Sequence, residues 1–313
     1  VAKQLSLETR LGFEADDIVM SSGAAGALNV VLKTLLNPGE EVIIFSPYFV
    51  EYLNYVDNQS GVSKVVPTGE HFVPKPDLLE SAITSRTKAL IINSPHNPTG
   101  VVYGNECLRA VGEVVRKKEA QFGTEIYLVS DEAYRKVIYD GLEFPQVLPH
   151  HLRTIVLTSH SKDLALPGER IGYIAVHPGM PGKQEVVDAL IYCNRTLGFV
   201  NAPALMQHVM RRLQGVTVSI ADYQRKRDLL FGNLSAMGYP MVKPQGAFYL
   251  FPKSPIEDEV SFIRELQEFL VLAVPGRGFG MPGYFRVSYC VDDRTIEGSL
   301  EGFRNVARKY GLG

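Results

Sequence analysis

The sequence lacks an excess of either charge: 32 Lys and Arg stand against 34 Asp and Glu, a formal charge of −2. With a pI near 6.4 there is no global basic field to hold a nucleic-acid backbone or an anionic membrane. Cysteine is scarce. Cys107, Cys193 and Cys290 lie far apart and match neither a CxxC metal spacing nor an even-numbered disulfide framework. No metal centre is expected from them, and a reducing, cytoplasmic setting is. Long apolar runs are missing too: none approaches the roughly 20 residues that cross a bilayer, and the opening VAKQLSLETR has no secretory apolar stretch. The Asn-x-Ser/Thr triplets at Asn58, Asn194 and Asn233 therefore read as chance. Internal repeats and low-complexity segments are likewise lacking. What remains is a soluble globular chain whose partners are small molecules or copies of itself, with no nucleic acid and no membrane.

What is present is enough apolar material, 45% of 313 residues, for a large core or two packed domains. Short β-rich runs alternate with stretches of helical period: IVM (18–20), EVIIF (41–45), VSKVV (62–66), KALIIN (88–93), EIYLVS (125–130), TIVLTS (154–159) and IGYIAV (171–176). AAGALNVVLKTLL, ECLRAVGEVVRKKEAQ and KQEVVDALIYCNRTL read as helices among them. That rhythm predicts βαβ units in an α/β domain with a mainly parallel sheet, its last two strands antiparallel because their link is short. Past residue 213 the order becomes helix, AFYLF, the helix SFIRELQEFL, LVLAV, YFRVSY and a final helix. The expected division is a large domain over 1–212 and a smaller α+β domain over 213–313.

Ligands of open α/β sheets gather beyond the carboxyl ends of the strands, and four strand ends here are rich in chemistry. SSGAAGAL opens a helix after IVM, so the amides of Gly23, Ala24 and Ala25 would face an anion. KALIIN is followed by Asn97 in SPHNPTG, and EIYLVS by Asp131 and Tyr134. TIVLTS ends in Ser159, with Ser161, Lys162 and Arg170 close behind. Each has a plain reading alone: a packed glycine turn, a proline turn, a helix N-cap, a solvated lysine. Together they form one site for an anionic, carbonyl-bearing ligand.

The set resembles the fold-type-I pyridoxal-phosphate (PLP) aminotransferases of class I/II, the family related to aspartate aminotransferase. NSPHNPTG is similar to that family's Asn-Pro-x-x-Pro-x-Gly segment, SDEAYRKVIYDG to its Asp-Glu-x-Tyr segment, SHSKDLALPGERIGY to its lysine segment and YFRVSY to its arginine segment. Order and approximate spacing match along essentially the whole chain.

The resemblance implies a transaminase acting on an amino acid and a 2-oxo acid. Lys162 would hold PLP as a Schiff base and move the substrate proton. Asp131 would pair with the pyridine nitrogen. Tyr134 and Asn97 would bond the phenolic oxygen, and Phe49, rather than Tyr48, would stack on the ring. Gly23, Ala24, Ala25, Ser159, Ser161 and Arg170 would bind the phosphate, and Arg286 the substrate α-carboxylate. Asn97 would also border the substrate. Arg195, ahead of Asn201-Ala202-Pro203, roughly matches an arginine that binds a side-chain carboxylate held by the neighbouring subunit, whereas Ala25 stands where some acid-specific relatives have lysine.

A homodimer with sites at the interface is implied. Family members carry several dozen residues, with an arm and a tyrosine, ahead of the segment that Val1 resembles, so dimerisation and turnover would weaken without them. A PLP lyase of the carbon-sulfur type and a non-catalytic PLP sensor share the scaffold and stay open. Gly278-Phe-Gly280-Met-Pro-Gly283 matches GxGxxG by letter, but Pro282 interrupts it and a strand follows. His96 and His160 are expected behind the site or at the surface.

Overall fold

The structure is a computed structural model that describes residues 1–312. Seven strands make its main sheet: β1 (Ile18–Ser21), β2 (Glu41–Ser46), β3 (Val62–Pro67), β4 (Thr87–Asn93), β5 (Tyr127–Asp131), β6 (Thr154–Ser159) and β7 (Gly172–Val176). Their spatial order is β1-β7-β6-β5-β4-β2-β3. The strands from β3 through β6 pair in parallel, and β7 runs antiparallel to both β6 and β1. This is the mainly parallel α/β sheet that the alternation predicts. The antiparallel β6–β7 pair agrees with the short link expected there: helical turns of four and three residues lie between the strands instead of a crossover helix.

Helices cover both faces. They are α1 (Ala2–Thr9), α2 (Gly23–Leu35), α3 (Tyr52–Asp57), α4 (Pro76–Ala82), α5 (Asn105–Phe122), the one-turn α6 (His160–Asp163), α7 (Lys183–Thr196), α8 (Ala204–Met210), α9 (Ile220–Ala236), α10 (Glu259–Glu268) and α11 (Asp293–Lys309). Successive strand residues point to opposite faces, so Val42, Ile44, Ile91, Val129, Ile155 and Ile174 pack with Leu28, Val31 and Leu32 of α2 and Leu190 of α7. Ile43, Leu90, Ile92 and Leu128 meet Leu108, Val111 and Val115 of α5 on the other side. Burial on both faces explains why the central strands are unbroken apolar runs. Edge strand β3 is largely exposed and carries Lys64, a charge that discourages further pairing. Helix α5 closes on Gly123 at φ 65°, the left-handed cap that its FGTE turn signals.

A second, antiparallel sheet joins β8 (Tyr249–Leu250), β10 (Phe285–Ser288) and β9 (Val274–Pro275), in that order. It packs with α9, α10 and α11 around Phe262, Phe285, Tyr239 and Phe303. One expectation needs correction. LVLAV is not a strand over its length; only Val274 in that run is paired, to Arg286 of β10. Val271 is buried while Leu270 and Leu272 are 91% and 78% exposed. The alternation is real, but most of the segment has no neighbouring strand to bond.

Candidate active site

Three strand ends meet at one side of the main sheet. Asn93, last in β4, stands in register with Asp131, last in β5, and Ser159 closes β6. A cavity of about 330 Å³ opens beyond them, lined by Ala24, Ala25, Phe49, Asn97, Asp131, Tyr134, Ser159, Ser161, Lys162, Arg170 and Arg286 among others. That volume is within the range of small-molecule sites. Eleven of the thirteen residues singled out in the sequence thus line one space. Gly23 adjoins it, beneath the Arg170 guanidinium. Arg195 does not reach it: it is exposed in the last turn of α7.

One end of the cavity is an anion cradle. Helix α2 begins at Gly23, and its N-cap Ser22 makes no side-chain cap bond, which leaves N-terminal amides to a ligand. Gly23 has φ +69°, and a Cβ there would lie 2.8 Å from Arg170 Nη2, so backbone and guanidinium converge on one small volume. Ser159 caps α6, its Oγ accepting from the Ser161 amide (3.1 Å) and donating to Ser161 Oγ (2.8 Å). Arg170, itself left-handed at φ 49°, donates to the Pro167 carbonyl at 3.0 Å.

The middle is a buried polar floor. Tyr52 donates to Asp131 Oδ2 at 2.6 Å, and the Ala133 amide reaches Oδ1 at 3.3 Å. Burial pushes the Asp131 carboxyl upward from its ordinary value, against the pull of those two donors. Tyr134 and Tyr249 share a hydrogen bond of 2.7 Å, and burial raises the Tyr134 hydroxyl well above its usual range. Lys162 Nζ lies 5.4 Å from the Phe248 ring centre and 5.9 Å from that of Tyr134. Burial lowers its pKa; Cys290 opposes this, while Arg286 and Arg170 add to it. The amine is thereby more available as a nucleophile and base.

At the other end Arg286 donates to Asn97 Oδ1 at 2.8 Å. Its guanidinium sits over the Tyr249 and Phe279 rings at 4.4 and 4.8 Å, which fixes its plane. Its Nε is buried and has no partner among the described residues. Asn97 is set in turn by Asn93, whose Oδ1 accepts from the Asn97 amide (2.9 Å) and whose Nδ2 donates to the Asp131 carbonyl (3.1 Å).

Sequence reasoning missed Asn93, Tyr52 and Tyr249, and with them Glu51 and Tyr55 at the cavity wall. Asn93 was findable as the polar end of an apolar strand. The surface alternative for the two histidines is corrected: both are buried. His96 bonds Thr99 Oγ1 at 2.8 Å, and burial lowers its pKa to about 3. His160 lies 3.1 Å from Asp163. The glycine run before β10 forms a turn between β9 and β10, with no helix after it.

Comparison with known proteins gives the same direction. The model of the family "Aminotransferase class I and II" matches residues 1–303. An aspartate/prephenate aminotransferase of Thermus thermophilus is 36% identical over 98% of this chain and 79% of its own. The crystal structure of an aminotransferase from Eubacterium rectale superposes with a TM-score of 0.96 at 39% identity, covering 99% of this chain and 78% of that one. An aspartate aminotransferase from Thermotoga maritima gives a TM-score of 0.88 at 29% identity, over 97% and 79%. The chain belongs to the class I and II aminotransferase family, and its chemistry is amino-group transfer.

Proposed function

We propose that the cavity binds pyridoxal 5'-phosphate and that the chain moves an amino group between an α-amino acid and a 2-oxo acid, with Lys162 as the attaching and proton-moving amine. The observation that carries this reading is the line of complementary groups in one cavity: an anion cradle, an amine of lowered pKa and an arginine with a free buried edge.

The residues fit the cofactor. Gly23, Ala24, Ala25, Ser159, Ser161 and Arg170 suit the phosphate, since the close approach of Arg170 to Gly23 leaves no room for a Cβ between them. Asp131 suits the pyridine nitrogen, because a buried carboxyl with a raised pKa gains from an N–H cation set against it. Phe49 offers a ring face, and Tyr134 and Asn97 suit the phenolic oxygen. When bound, the cofactor supplies a carbonyl for covalent attachment and a ring that accepts electron density from substrate Cα.

The protein's own groups do the rest. Lys162 would be the point of attachment and, as a free amine, would carry the proton to and from substrate Cα. Asp131 holds a proton at the ring nitrogen. Arg286 takes the substrate α-carboxylate through Nε and one Nη, a two-pronged grip beside Asn97. We read residues 1–212 as the cofactor domain and 213–313 as the smaller one, since α9, α10 and α11 surround an aromatic core of their own, which Tyr134, Val137 and Tyr139 of the first part also join. The aspartate activities named for the relatives support an acidic amino acid as substrate. Exposed Arg195 would then serve the site of a second copy in a homodimer. Three unpaired cysteines favour a reducing, cytoplasmic setting.

Incubation with PLP, borohydride reduction and peptide mass mapping test the assignment. A pyridoxyl group on Lys162, absent from Lys162→Ala, is expected; the label on another lysine would overturn it.

A further inference from the structure

Behind the lysine turn, away from the cavity, lies a cluster of charged side chains that the reaction does not use. Two short segments supply most of it. At the end of β5 and in the segment after it, Asp131 and Tyr134 line the cavity while Glu132, Arg135 and Lys136 do not; in α6, Ser161 and Lys162 line it while His160 and Asp163 do not. Asp163 is 5% exposed, and its carboxylate meets Lys136 Nζ at 3.5 Å and His160 Nδ1 at 3.1 Å. Its carbonyl accepts from the Val218 amide at 2.7 Å and Thr217 Oγ1 at 3.1 Å. Arg135, also buried, reaches Glu8 at 2.5 Å, the Tyr173 hydroxyl at 3.2 Å and Glu132 at 3.7 Å. The space enclosed by Glu8, Arg135, Lys136, His160, Asp163 and Tyr173 is about 10 Å³, the room of a single water. The cluster is therefore no second metabolite site.

Helix α6 spans four residues. One turn fixes several dihedrals for about one hydrogen bond and has no stability of its own, so its orientation must come from outside. Asp163 and Lys136 provide that tie. They join the turn carrying Lys162 to the segment after β5 that carries Tyr134.

We propose that Asp163 and Lys136, with His160 beside them, are positioning residues: their ion pair locks α6 against the segment after β5 and holds Lys162 Nζ at its working angle. The inference rests on the reading of Lys162 given above. Misplacement of a reacting group by about 1 Å costs on the order of a hundredfold in rate, so loosening one tie is expected to cost about tenfold.

The test is a double-mutant cycle with Asp163→Asn, Lys136→Met and both together, run on cofactor-free protein for attachment and on PLP-loaded protein for turnover. Two readouts are followed: the absorbance-detected rate of cofactor attachment without substrate, and kcat and KM for the amino acid. Each single variant is expected to lower the attachment rate and kcat about tenfold with KM within twofold, and Lys136→Arg to restore both. The double variant is expected to be no worse than either single one, because the pair acts as a unit. Wild-type attachment rates in the single variants, or losses that multiply in the double, would overturn the proposal. Should Asp163→Asn not fold, Lys136→Met and Lys136→Arg decide alone: loss with the first and recovery with the second support it, and equal rates overturn it. Failure of the Lys162 assignment would look different, as a pyridoxyl label on another lysine in the wild-type protein.

Discussion

Arg286 shows how much one side chain has been prepared for a ligand. Two aromatic rings hold its plane, Asn97 takes one Nη, and its buried Nε has no partner among the described residues. Lysine could match the charge but not the fork. Losing one charge-assisted hydrogen bond costs about 1.5–3 kcal/mol, so Arg286→Lys is expected to raise KM for the amino acid roughly 10- to 100-fold. PLP attachment at Lys162 should be unchanged, and steady-state kinetics beside an absorbance titration would check both. Lys162 differs in that burial, not a neighbour's hydrogen bond, tunes it. A lysine in that surrounding is partly neutral at lower pH than an exposed one, so cofactor attachment gains rate below the usual lysine range.

At the scale of elements, the chemistry-bearing strand ends were legible because local sequence decides them. An apolar run followed by a polar turn marks where a buried parallel strand surfaces, and Asn97, Asp131 and Ser159 each follow or end such a run. The residues that escaped notice depend on contacts that only folding makes. Tyr52 meets Asp131 from 79 residues away, and Tyr249 meets Tyr134 from 115 away. Neither spacing leaves a trace in local periodicity. The short helices α3, α4, α6 and α8 were hidden for a related reason: with four to seven residues apiece they contain too little period to read and are held by packing rather than propensity. LVLAV shows the reverse case, a strand pattern whose pairing partner was missing over most of its length.

For the whole molecule, the cavity is built from the main sheet, from α2 and from the segments holding Tyr249 and Arg286, so its lining comes from distant parts of the chain. Ile191, Tyr192, Val200 and Leu205, on α7, α8 and the link between them, are exposed apolar side chains. Such a surface fits the second copy in the proposed dimer. Sedimentation equilibrium is expected to find two chains per particle, and Tyr192→Asp with Leu205→Glu to shift the particle toward one. The claim on which everything else depends is that the amino group moves rather than leaves. The direct measurement is a half-reaction: PLP-loaded protein mixed with aspartate or glutamate and no 2-oxo acid, with cofactor absorbance and products followed together. Conversion to pyridoxamine phosphate that stops at a single turnover and reverses when a 2-oxo acid is added is the expected result. Ammonia and pyruvate accumulating over many turnovers, with no acceptor present, would contradict it.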